Sequence, residues 1–112
     1  TAKDHGRQNL IEGKIDKGQK VVVIEDLISS GKSSLQVVNH LIESGADVIG
    51  LVAIFSYDFP VASDDMNQIG LSHFTLSDYN ILVVEALTMG YIKDKDVKLL
   101  QEWRKNPSEW GK

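Results

Sequence analysis

Val21-Val22-Val23-Ile24-Glu25-Asp26-Leu27-Ile28-Ser29-Ser30-Gly31-Lys32-Ser33 joins an apolar strand, a pair of acids and a glycine-centred loop. Val21 to Ile24 are β-branched and apolar at successive positions, so both faces of their strand are expected to be covered, as in the middle of a parallel sheet. Glu25 and Asp26 then stand at its carboxyl end, where open α/β sheets hold their ligands. Two carboxylates there accept hydrogen bonds, which suits a pair of neighbouring sugar hydroxyls. The loop Ser29 to Ser33 wraps backbone N–H groups toward one point at a helix start, Gly31 permits close approach, and the hydroxyls of Ser29, Ser30 and Ser33 add donors. That point suits a phosphate monoester. A ribose 5-phosphate laid across strand end and loop engages both halves.

Downstream, Leu35, Val38, Leu41 and Ile42 recur at helical spacing and Gly45 follows as a C′ glycine, so the loop opens a helix that ends there. Val48 to Phe55 is a second apolar run expected to be covered on both faces, which makes Lys20 to Phe55 one strand–loop–helix–strand unit. Pro60 and Val61 open a short helix ending at Gly70, and Ser72 to Leu76 reads as a further strand. Asp78 is placed as the N-cap of a helix with Tyr79, Leu82, Val83, Ala86 and Leu87 on one face and Gly90 at its end. A last helix, roughly Asp94 to Lys105, turns Val97, Leu100 and Trp103 inward before Asn106–Pro107 stops it. Upstream, Thr1 to Gln19 is polar and reads as a mobile loop, a short strand near Gln8–Glu12 and a turn. The class is α/β, a mostly parallel sheet flanked by helices.

With 112 residues, 42% hydrophobic and 25% charged, the chain has the composition of one ordinary globular domain, with no internal repeat. It has no cysteine, which excludes disulfides, a cysteine-ligated zinc and a thiol nucleophile, and suits a reducing cytoplasm. A formal net charge of -4 argues against a broad grip on nucleic acid, which needs clustered cations to displace counterions. No apolar run approaches the ~20 residues that cross a bilayer, and Thr1 to Gln19 is too polar for a signal peptide, so no membrane partner is expected. Gly31-Lys32-Ser33 matches the end of a Walker A loop, but the first glycine of that pattern would fall on Asp26. A carboxylate on the triphosphate path argues against a nucleoside triphosphatase.

Val21 to Ser33 resembles, along its full length, the phosphoribosyl-diphosphate signature of type I phosphoribosyltransferases. Lys3-Asp4-His5-Gly6 is similar to the mobile loop of orotate phosphoribosyltransferases, in which a lysine stands two residues before the histidine of a His-Gly pair. Ala53-Ile54-Phe55-Ser56-Tyr57 and Leu76-Ser77-Asp78-Tyr79 also look like one bacterial branch of that family. The likeness covers essentially the whole chain and corresponds to the C-terminal half of the family's usual length. It implies a type I phosphoribosyltransferase-like (Rossmann-like) fold, incomplete at the N-terminus. Residues 1–19 are then a mobile catalytic loop and short strand, and 20–112 the C-terminal part of a single domain. Flanking strands, and a cover over the base, are expected from residues before Thr1.

The resemblance further implies transfer of ribose 5-phosphate from phosphoribosyl diphosphate to orotate, giving orotidine 5′-phosphate and diphosphate in pyrimidine biosynthesis. Lys3 and His5 would be the catalytic pair, closing over the diphosphate from the neighbouring subunit of a homodimer. Glu25 and Asp26 would hold the ribose hydroxyls. Leu27 and Ile28 complete the signature, Ser29, Ser30, Gly31, Lys32 and Ser33 would hold the 5-phosphate, and Ser29 would also touch orotate. Mg2+ is expected to bind mainly through the substrate, with no protein metal-ligand set. Two departures stand out: Lys3 is preceded by Thr1-Ala2 where the family has basic residues. Phe55-Ser56-Tyr57-Asp58-Phe59 also occupies the place after the second strand where some branches use a base-contacting arginine.

Two other readings stay open, a purine-base phosphoribosyltransferase and a phosphoribosyltransferase-like regulator that binds ligand without catalysis. Lys3 and His5 favour an enzyme, since a sensor has no leaving group to neutralise. Structural roles are expected for His40 and His73, and packing or interface roles for Tyr79, Trp103 and Trp110.

Overall fold

In the computed structural model, which describes residues 11–110, the apolar runs become strands and the helical periods become helices. The order is β1 Lys20–Ile28, α1 Lys32–Glu43, β2 Asp47–Ser56, α2 Pro60–Gln68, β3 His73–Asp78, α3 Tyr79–Thr88 and α4 Asp94–Lys105, with a 3-10 turn at Pro107–Glu109. The three strands form a parallel sheet in the order β1-β2-β3. Lys3 and His5 lie outside the described residues, as does most of the strand expected near Gln8–Glu12; its last two positions, Ile11 and Glu12, are not in a strand.

Helix α1 ends as the glycine demands. Gly45 sits at φ 96°, its N–H donates to the Ile42 carbonyl, and the Ala46 N–H donates to the Leu41 carbonyl, both at 3.0 Å. This is the paired Schellman closure, which only a residue tolerant of the left-handed region completes without strain. Asp78 caps α3 as expected, its Oδ1 accepting from the Ile81 N–H at 2.9 Å.

The core forms where α1 and α2 lie on one face of the sheet. Val23, Leu51 and Ala53 from the strands meet Val38 and Leu41 of α1 and Ala62 and Met66 of α2. Two expectations are corrected here. β1 does not stop at the acids but runs through Glu25 and Asp26 to Ile28, because Leu27 pairs with Phe55 and Ile28 with Ser56. Among the described residues the apolar runs are covered on one face. Val22, Ile24, Ile54, Phe74 and Leu76 remain 45–69% exposed, and Ile24, Val52 and Phe74 stand in register across the three strands. Ile42 and Leu82, expected inward, are also about half exposed.

At the carboxyl end of the sheet a second cluster is aromatic. Tyr57, Phe59, Tyr79 and Trp103 have ring centroids 5.4–6.0 Å apart. The Tyr79 hydroxyl donates to the Leu100 carbonyl at 3.1 Å, tying α3 to α4. Edge and offset contacts of this kind add about 0.5–1.5 kcal/mol per pair beyond burial. The cluster thereby fixes the last helix against the segment that leaves β2.

Candidate functional site

Ile28, Ser56 and Asp78 stand in register, so the segments after β1, β2 and β3 leave the sheet at one level. The Tyr57 N–H donates to the Ile28 carbonyl at 3.1 Å, which carries the ladder one step past β2. Carboxyl ends of parallel strands are where such sheets gather ligand groups. Glu25 and Asp26 lie just before this level.

Successive strand residues point to opposite faces, so the two acids differ in surroundings. Glu25 pairs with the fully buried Ala53 and is itself half-buried. Burial raises its carboxyl above the ordinary 4.5, the Asp26 charge adds to the rise, and a hydrogen bond with Ser34 opposes it. Asp26 is exposed. Leu27 is partly exposed, whereas Ile28 belongs to the core and acts as the anchor of the loop that follows.

In the loop, the Ser29 Oγ accepts from the Ser30 N–H at 2.6 Å, and the Ser30 Oγ accepts from the Lys32 N–H at 3.4 Å. Gly31 sits at φ 84°, and a Cβ there would lie 3.1 Å from the Ala62 Cβ. Glycine is therefore demanded twice, by backbone conformation and by close approach to α2. Lys32 and Ser33 are exposed on the first turn of α1. Beyond that long Ser30 contact no side chain among the described residues caps this helix, and no acid occupies its first turn. An uncapped helix start presents unpaired N–H groups and the positive end of the helix dipole, which together favour an anion.

The structure thus brings Glu25 to Ser33 together at one end of the sheet. Sequence reasoning missed Ser34, which is 2% exposed and bonds Glu25. Its place in the first helical turn, one residue beyond the signature, was the available signal. It also missed Arg104, whose partners are distant in sequence. Arg104 on α4 lines a cleft of about 450 Å3 together with Ser29, Ser30, Phe59 and Lys105. A smaller hollow of about 250 Å3 lies by α2 and β3, lined by Ala62, Met66, His73 and Phe74, and shares only Ile28 with the Glu25–Ser33 stretch. Among the described residues no group of three or more His, Cys, Asp or Glu side chains could hold a metal ion. No helix among them is long and apolar enough to cross a membrane.

No family model matches the chain. A Cytophaga hutchinsonii protein named orotate phosphoribosyltransferase is 52% identical over 110 residues, which are 98% of this chain and 53% of the relative. A Listeria monocytogenes protein of the same name is 50% identical over 99% of this chain and 53% of its own length. The chain therefore spans about half the length of the curated relatives it matches. Among solved structures, the Mycobacterium tuberculosis orotate phosphoribosyltransferase in complex with 5-phospho-alpha-D-ribosyl 1-diphosphate superimposes with a TM-score of 0.55 at 27% identity. That match covers 60% of this chain and 41% of the other.

Proposed function

Since the chain belongs to the orotate phosphoribosyltransferase family, of whose length it spans the C-terminal half, we propose that it carries the sugar-phosphate site of an enzyme converting orotate and phosphoribosyl diphosphate to orotidine 5′-phosphate and diphosphate. The observation that carries this reading is the placement of two acids and an uncapped, glycine-opened helix start at one end of a parallel sheet. Residues 20–112 are then the C-terminal part of one phosphoribosyltransferase domain, and 1–19 contain its catalytic loop. Relatives at about half identity carry the orotate name, which favours this acceptor over a purine and favours an enzyme over a ligand-binding regulator.

In this reading the start of α1 and the hydroxyls of Ser29, Ser30 and Ser33 hold the 5-phosphate, with Gly31 and Lys32 shaping the loop. Glu25 and Asp26 accept from the ribose hydroxyls, and Ser29 borders the orotate ring. Breaking the bond to diphosphate builds positive charge on the anomeric carbon and negative charge on the leaving oxygen. The Lys3 ammonium and His5 meet that negative charge, and closing their segment excludes water that would hydrolyse the sugar. The exposed Asp26 carboxylate, a hard oxygen donor, fits a substrate-borne Mg2+. When bound, Mg2+ supplies charge neutralisation at the diphosphate. A cytoplasmic homodimer in which Lys3 and His5 act across the interface completes the proposal.

The test uses the complete gene product. Loss of orotate absorbance is expected only when phosphoribosyl diphosphate and Mg2+ are both present. Asp26→Asn is expected to weaken phosphoribosyl diphosphate binding in calorimetry with the fold intact. A wild-type protein that consumes no orotate, or an Asp26→Asn variant with unchanged affinity, refutes the corresponding part.

A further inference from the structure

The segment that leaves β2 is held by a cation from the last helix. Asp58 sits at φ 59°, a left-handed conformation that is unusual outside glycine, and its N–H donates to the Ser56 Oγ at 2.9 Å. The Arg104 Nε donates to the Tyr57 carbonyl at 3.1 Å, and its Nη2 donates to the Asp58 carbonyl. The same Nη2 lies 3.8 Å from the Asp58 carboxylate, an ion pair too long for a hydrogen bond. The Arg104 side chain is only 20% exposed. A guanidinium carries five donors in a rigid fork, so two backbone acceptors fix its direction without exhausting it.

Arg104 also lines the 450 Å3 cleft that includes Ser29 and Ser30 of the loop. That cleft adds an aromatic ring, Phe59, and a second cation, Lys105, which is 71% exposed and paired with Glu102 at 3.3 Å. An oriented guanidinium beside an apolar surface, bordering the loop assigned to the sugar phosphate, matches a flat ring that bears a carboxylate. We infer that Arg104 is a specificity-determining residue which recognises the carboxylate of the acceptor base in this cleft. The inference rests on the proposed function, and it assigns to α4 a role in acceptor choice that no residue of the phosphate-loop signature supplies. Its hydrogen bonds to the Tyr57 and Asp58 carbonyls hold the fork in place before the base arrives, so little side-chain entropy is lost on binding.

The test compares wild type, Arg104→Gln and Arg104→Lys in the complete gene product, measuring KM for orotate and for phosphoribosyl diphosphate. Inhibition by uracil, which has the ring without the carboxylate, is measured alongside. Arg104→Gln is expected to raise the orotate KM roughly 10- to 100-fold, the range for one charge-assisted pair. The phosphoribosyl diphosphate KM and the uracil inhibition constant stay within about twofold. Arg104→Lys, which keeps the charge and loses the fork, is expected to recover part of the orotate affinity. An unchanged orotate KM overturns the inference. So does a parallel loss for both substrates, which would mark Arg104 as a support of the Tyr57–Phe59 segment alone. If the Gln variant does not fold, the Lys variant decides, and an orotate KM equal to wild type in it overturns the inference. A wild-type protein inactive on orotate refutes the proposed function instead, before any variant is compared.

Discussion

Replacing Gly31 with Ala strikes the phosphate loop at its tightest point. Two costs add. A Cβ at φ 84° pays roughly 1–2 kcal/mol for the left-handed conformation. The same Cβ would stand 3.1 Å from the Ala62 Cβ and 3.3 Å from its Cα, and forcing a methyl into such a contact costs about 1–3 kcal/mol. A total of about 2–5 kcal/mol is expected. Gly70→Ala separates the two costs, because Gly70 has φ 70° with nothing within 4 Å of an added Cβ and should lose only the conformational part. Ala62→Gly in the Gly31→Ala background should restore part of the contact cost, giving a non-additive pair. Urea unfolding of the complete gene product, followed by circular dichroism, measures each variant. A Gly31→Ala loss no larger than that of Gly70→Ala, or strict additivity with Ala62→Gly, would refute the close-approach argument.

Glu25→Gln tests the half-buried acid through pH. Because the folded carboxyl titrates above 4.5, the protonated form stabilises the fold below that value, and this stability is lost as pH rises through the folded pKa. The variant should therefore be more thermally stable than wild type at pH 7, with the gap closing as pH falls toward 4.5; a gap that widens on acidification contradicts the assignment. Asp78→Ala removes the acceptor of the Ile81 N–H and is expected to cost about 1 kcal/mol in urea unfolding, whereas no loss would mean that water replaces the cap. Lys3→Ala should lower kcat far more than it raises the dissociation constant of phosphoribosyl diphosphate, since the charge it meets grows toward the transition state; equal losses would assign Lys3 to ground-state binding.

Much of the fold was legible because short-range rules dominate it. Gly45, Asp78 and Asn106–Pro107 announce element ends through local backbone chemistry, and the last helix has the expected bounds of Asp94–Lys105. The end of β1 is not legible in β1 alone, because a pair of acids has the polarity of a strand boundary. Ladder pairing of Leu27 and Ile28 with β2 carries the strand through the acids, and pairing is a property of two segments, not one. Coverage of the second sheet face is likewise a matter of neighbours: β-branched runs report a preference for burial, and Ile24 and Phe74 show that the described helices meet it on one side. The Glu25–Ser33 site was readable as a contiguous motif. Arg104 was not, because its contacts with Tyr57 and Asp58 bridge 47 and 46 positions, and no local pattern marks such a partner.

The common level of Ile28, Ser56 and Asp78 has a practical consequence for anyone altering this polypeptide. The turn joining α1 to β2 at Ser44–Ala46 and the turn joining α2 to β3 at Ile69–Ser72 connect the opposite ends of the strands. Loop lengthening costs only slowly growing closure entropy, and neither turn supplies a group to the acids or to the start of α1. Those turns are the natural places to graft a fluorophore, an affinity peptide or a hinge, leaving the business end of the sheet unaltered. The Gly70 turn is the better of the two, since an added Cβ there meets nothing while Gly45 abuts Lys17.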